Sequence, residues 1–170
     1  MQPKSYRVFK WVVYALATML LCALQAMFFS NMRILGLTPF LYPMLPAAVA
    51  MFEGTRRGAV FALIFGVLCD LLLPAPFRGF FAIIFPVIAA LSGEIAGRLL
   101  SRGFLCALIV SSLGLLATGA FRMVVQILAG GRYLGLMAQI TLGETLLTLP
   151  ALLIVLPLYR TVFRRCAADY

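Results

Sequence analysis

The chain has 170 residues, 64% hydrophobic and 11% charged, with 14 basic and 5 acidic side chains, a net charge of +9 and no histidine. Soluble domains run to about half apolar and a quarter charged, so the composition predicts an all-α integral membrane protein and excludes most classes of water-facing enzyme. Each span takes roughly 20 residues, and a compact bundle of six transmembrane helices would use about 120 of the 170, leaving residues 1–170 as one membrane domain.

The first span is expected at 11–29, opened by Lys4, Arg7 and Lys10 and closed by Ser30, Asn31, Met32 and Arg33. Its apolar run exceeds a signal-peptide core and no small-x-small cleavage site follows, so it is expected to stay in the mature protein. Thr18, Cys22, Ala26 and Ser30 form a small-residue stripe at intervals of four. The second span, 37–52, holds Pro39, Pro43 and Pro46. Prolines remove backbone donors and break helices, which predicts an irregular entry and a helix from about Pro43.

The third span, 58–73, carries Gly58, Ala62, Gly66 and Asp70 at intervals of four and ends at Pro74-Ala75-Pro76. The fourth, 79–97, contains Pro86 and a stripe of Ala89, Gly93 and Gly97. Small residues at this spacing let helix backbones approach closely in lipid, so Gly58, Ala62, Gly66, Ala89, Gly93 and Gly97 are candidate contact faces, within the bundle or toward a partner.

The fifth span, 104–120, leads into a polar stripe of Gly114, Thr118, Arg122 and Gln126, and the sixth, 136–159, bears Thr141, Glu144, Thr145 and Thr148 on one face. Between them, Ala129-Gly130-Gly131-Arg132-Tyr133 reads as a turn and lacks the Gly-Lys-Ser/Thr ending of a phosphate-binding loop. The cysteines Cys22, Cys69, Cys106 and Cys166 are far apart and read as small buried hydrophobes. No metal site, catalytic residue or cofactor is expected: histidine is missing and there is no Cys-x-x-Cys pair.

With an N-in/C-in arrangement, the cytoplasmic segments hold Lys4, Arg7, Lys10, Arg56, Arg57, Arg98, Arg102, Arg160, Arg164 and Arg165, against Arg33, Arg78, Arg122 and Arg132 outside. That bias obeys the positive-inside rule. The charge therefore reads as topology and contact with anionic lipid, with no nucleic-acid partner.

Ionisable side chains at membrane depth turn inward and pair, or mark a functional path. Glu53 with Arg57 and Glu94 with Arg98 have the spacing and order of helix-end ion pairs. Asp70, Arg122 and Glu144 sit toward the outer half of their spans. Arg122 is expected to pair with Asp70 or Glu144 in a buried polar cluster.

Residues 53–100 run through a short basic turn after Glu53-Gly54, Gly58 opening a span, then Gly66-Val67-Leu68-Cys69-Asp70-Leu71-Leu72, a proline-containing outer loop, Gly79 opening the return helix, and Gly93 and Gly97 near its end. In this order of elements the segment resembles the rod shape-determining protein MreD family. The resemblance implies a non-enzymatic scaffold of the cell-elongation machinery in the bacterial cytoplasmic membrane. It implies MreC as bitopic partner and, indirectly, MreB, RodA and a class B penicillin-binding protein in peptidoglycan synthesis. The alternative is a substrate-binding subunit of an energy-coupling-factor vitamin transporter, which the six-span layout also resembles. A scaffold predicts a filled interior, whereas a solute binder requires an outward cavity of about 300 Å³ or more.

Overall fold

The computed structural model describes residues 4–29, 38–74, 76–98, 103–130 and 134–168, and among them every regular element is helical. The expected polar cap at Ser30 to Arg33, Ala75, Arg102 and the turn residues Gly131 to Tyr133 lie outside the described residues.

Helix α1 (Lys4–Leu24) continues as a π-helical stretch, Gln25–Phe29. Its inward stripe is Tyr14, Ala17, Thr18, Leu21 and Gln25, while Val12, Leu16, Met19 and Leu20 are exposed. This replaces the expected stripe: Thr18 is buried, Cys22 only half-buried, and Ala26 exposed. The physical reason is that α1 packs through large hydrogen-bonding side chains. Tyr14 stacks on Tyr159 with centroids 6.0 Å apart, and the Thr18 and Tyr159 hydroxyls are hydrogen-bonded at 2.8 Å.

Helix α2 (Met44–Glu53) is short and buried along its length from Met44 to Phe52. A helix apolar on all sides belongs in a core, and α2 fills the space between α3 (Thr55–Leu72), α4 (Phe80–Arg98), α5 (Phe104–Leu128) and α7 (Leu152–Ala168). Pro46 falls in its first turn, where the missing N–H has no intrahelical acceptor in any case. Ahead of it, residues 38–41 are non-helical. Irregular backbone at membrane depth persists where protein satisfies its polar groups. Here the Gln25 amide donates to the Pro39 carbonyl at 2.6 Å and accepts from the Leu41 N–H at 3.4 Å, while the Phe40 N–H donates to Thr148 Oγ1 at 2.9 Å.

Gly54, at φ +87°, turns the chain between α2 and α3 in a conformation suited to glycine. Helices α3 and α4 form the most extensive helix pair of the bundle. Helix α5 runs on to Leu128, past the expected end at residue 120. The expected sixth span is two helices, α6 (Leu134–Thr148) and α7, joined by the 3₁₀ turn Leu149–Ala151. Pro150 lies in that turn, where a regular helix would lose a hydrogen bond.

Among the described residues, four segments are long and apolar enough to cross a membrane: Phe9–Met27, Phe80–Arg98, Phe104–Leu128 and Gly135–Phe163. This is fewer than the six expected, for two reasons. Helix α2 has 10 residues, and at 1.5 Å rise it covers about half the bilayer core. Helix α3 has 18 residues but carries Arg56, Arg57 and Asp70.

A file of aromatic rings binds the helices together. Trp11 stacks on Phe61 at 5.9 Å, Phe61 on Phe65 at 6.4 Å and Phe65 on Phe85 at 5.7 Å, followed by Phe81 at 5.2 Å from Phe85 and Phe40 at 6.3 Å from Phe81. These spacings are those of favourable ring pairs.

Candidate functional site

At the basic end of the bundle, Glu53 closes α2 with its side chain only 2% exposed. Its Oε1 accepts from Lys10 Nζ at 2.5 Å and from the Tyr14 hydroxyl at 3.1 Å, while Arg57 stands 4.0 Å from Oε2. A buried carboxylate survives only when donors replace its water. Glu53 therefore joins α1 to the α2–α3 junction. Lys10 also lies 5.3 Å from the Phe163 ring, which stacks on Phe52, so α7 reaches the same centre. Beside it, Glu94 is exposed, accepting from Thr55 Oγ1 at 3.0 Å and pairing with Arg98 at 2.7 Å.

At the opposite end, Asp70 takes the backbone N–H groups of Phe81 and Ala82 at 3.0 and 2.9 Å. These belong to the first turn of α4, whose N–H groups have no acceptor within the helix. A carboxylate there satisfies them and meets the positive end of the helix dipole. Gly66, one turn earlier on α3, makes this possible. A β-carbon on Gly66 would stand 2.5 Å from the Phe81 carbonyl oxygen, so only glycine lets the start of α4 approach Asp70.

The expected three-residue cluster is thus divided. Arg122 pairs with Glu144 across α5 and α6 at 3.8 Å, and Asp70 caps α4 instead. The Arg122 guanidinium lies over the Phe40 ring, 4.5 Å from its centroid. Phe40, Leu115, Thr118, Gly119, Arg122, Thr141, Glu144 and Thr145 line a cleft. The cleft has room for about one water molecule.

The small-residue faces also separate. Gly58 lies directly against Ala50 of α2, and a β-carbon on Gly93 would stand 2.6 Å from the Thr55 Cα. Ala62 and Ala89 are fully buried. These positions hold α2, α3 and α4 together. Gly97 faces open space, with no atom within 4 Å of where its β-carbon would be, and is exposed. It is therefore absent from the helix contacts of the described residues.

No protein-family model, curated protein or solved structure matches this chain.

Among the described residues, no three His, Cys, Asp or Glu side chains come together as a metal site, and Cys22, Cys69 and Cys106 are free thiols. The Glu53 centre is the feature that reading the sequence missed. Its exposed neighbour Arg57 has the right spacing for a pair, which concealed Lys10 and Tyr14 as the closer donors. The signal was present: Lys10, Tyr14 and Thr18 follow at intervals of four on α1.

Proposed function

We propose that this chain is a non-enzymatic membrane scaffold of the bacterial cell-elongation machinery, resembling the MreD family and binding MreC in the cytoplasmic membrane. The observation carrying this reading is the way the interior is used. Asp70 caps a helix, Arg122 and Glu144 neutralise each other, and the cleft beside them holds about one water. Among the described residues, this cleft falls short of the pocket of about 300 Å³ or more that a vitamin-binding subunit needs. The resemblance centres on residues 53–100, and its elements have clear physical tasks: Gly58, Gly66 and Gly93 permit close helix approach and Asp70 fixes the start of α4.

The proposed topology has six crossings with both ends on the cytoplasmic side. The second crossing is composite. The non-helical residues 38–41 and the turn at 42–43 lead into α2, which adds about 15 Å. Lys10, Arg57 and Arg98 gather with Glu53 and Glu94 at one end, in keeping with a cytoplasmic face rich in arginine and lysine. Through MreC, the scaffold would meet MreB, RodA and a class B penicillin-binding protein.

The test is an affinity pull-down from gently solubilised membranes, comparing wild type with Gly97→Leu, a change at an exposed position. Recovery of MreC supports the scaffold. Recovery of an ATPase pair with a transmembrane coupling subunit replaces it with the transport reading. Loss of MreC from folded Gly97→Leu locates the contact on the exposed face of α4.

A further inference from the structure

We infer that the cleft between α5 and α6 binds the headgroup of a zwitterionic phospholipid bearing a primary ammonium, with Arg122 on its phosphate and Glu144 on its ammonium. This rests on the cleft alone and stands independently of the partner assignment.

Position is the first argument. Phe121 packs against Phe77 and Phe80 with centroids 6.3 and 5.3 Å away, which places it level with the loop between α3 and α4. Arg122 is the next residue, so the cleft lies in the same half of the bundle as that loop, about 9 Å short of the end of α5 at Leu128. Leu116, Leu142 and Leu146 are exposed nearby on α5 and α6 and offer an apolar track for acyl chains.

The chemistry of the lining is the second. At 3.8 Å, Arg122 and Glu144 attract each other beyond hydrogen-bond reach. Their side chains are 33% and 22% exposed, so each has capacity for a ligand atom of opposite charge. The hydroxyl protons of the lining threonines are committed to their own helices: Thr118 to Gly114 O at 2.8 Å, Thr141 to Met137 O at 2.9 Å and Thr145 to Thr141 O at 2.7 Å. What they present to the cleft is lone pairs. A site with one fixed guanidinium, one carboxylate and a surround of acceptors suits a dipolar ligand whose cation carries N–H donors.

Size supplies the third argument. Space for about one water takes only the –NH₃⁺ group, which is similar in size and has three donors, and leaves the phosphate at the mouth of the cleft on the part-exposed Arg122. A trimethylammonium is larger and has none. The cleft is therefore selective for phosphatidylethanolamine over phosphatidylcholine, and over phosphatidylglycerol, which has no cation for Glu144.

The test is native mass spectrometry of the full chain in detergent. It is offered phosphatidylethanolamine, its N-methyl and N,N-dimethyl derivatives, phosphatidylcholine and phosphatidylglycerol with the same acyl chains. Loss of a charge-assisted hydrogen bond corresponds to about tenfold in affinity or more. Retention should fall at each methylation, reaching about tenfold between the unmethylated and trimethylated lipids. The methyl series uses wild-type protein, so it is informative even where a variant fails to fold. Folded Glu144→Gln should lose the preference while retaining lipid through Arg122. Equal retention across the series, or an unchanged preference in Glu144→Gln, overturns the proposal. Displacement by soluble phosphoethanolamine at matched concentration, or by a lysine-bearing peptide, assigns the cleft to a solute or a protein partner and overturns the lipid assignment.

Discussion

Removing Lys10 should destabilise the protein more than removing the charge of Glu53, although the two form one ion pair. In Lys10→Met the Glu53 carboxylate stays in place, 2% exposed, with the Tyr14 hydroxyl at 3.1 Å and the exposed Arg57 4.0 Å away. Leaving a buried charge without its partner costs about 3 to 5 kcal/mol, and the remaining hydroxyl puts this case near about 3 kcal/mol. In Glu53→Gln the stranded group is Lys10, whose side chain is 20% exposed and close to the Phe163 ring. A flexible lysine stem can carry its ammonium to water, so the cost should be about 1 kcal/mol, the worth of an ordinary hydrogen bond. The double variant should resemble Glu53→Gln, giving a coupling energy of about 3 kcal/mol. Melting in detergent reads this directly. At about 2 to 4 °C per kcal/mol for a chain of this size, Lys10→Met should melt about 6 to 12 °C below wild type and Glu53→Gln about 2 to 4 °C below. Additive losses, or a larger loss for Glu53→Gln, would refute the buried-carboxylate argument.

Gly66→Leu and Gly93→Leu should abolish folded protein in fluorescence-detected gel filtration, whereas Gly97→Leu should elute and melt as wild type, because only the first two side chains would enter backbone. Asp70→Ala, which leaves the Phe81 and Ala82 N–H groups without their acceptor, should cost about 1 to 2 kcal/mol in the same melting assay. Asp70→Asn should recover part of this, since an amide oxygen still accepts. Thr148→Val should cost about 1 to 3 kcal/mol by orphaning the Phe40 N–H. Cysteines placed at Arg56 and Arg98 should react with an impermeant maleimide only in inverted vesicles, and one at Arg78 only in intact cells; the reverse would overturn the proposed orientation.

Long apolar runs made much of this fold legible in advance. The helices containing residues 80–98 and 104–120 needed only composition, because a lipid-facing helix announces itself by length. Helix α2 was harder, since a ten-residue buried helix has no periodicity to betray its inward face. Prolines marked its irregular entry, but nothing in sequence order linked residues 39–41 to Gln25 or Thr148. Pro150 was visible and marks the 3₁₀ turn between α6 and α7, but nothing in sequence order paired Thr148 with the Phe40 N–H across the bundle. The polar residues were legible as unusual and not in their pairing. Depth alone left Asp70 and Glu144 as alternative partners of Arg122; Glu144 is the one that pairs, whereas the first turn of α4 supplies two donors to Asp70. Small-residue stripes indicated close contact without specifying where. Gly93 and Gly97 look alike in sequence and differ completely in surroundings, one against Thr55 and the other in the open.

The most direct measurement of the scaffold claim is reconstitution of the purified full chain with purified full-length MreC from the same bacterium, followed by gel filtration and native mass spectrometry of the mixture. The account predicts a stable complex containing both chains. Two separate peaks at concentrations well above those in the membrane would contradict it.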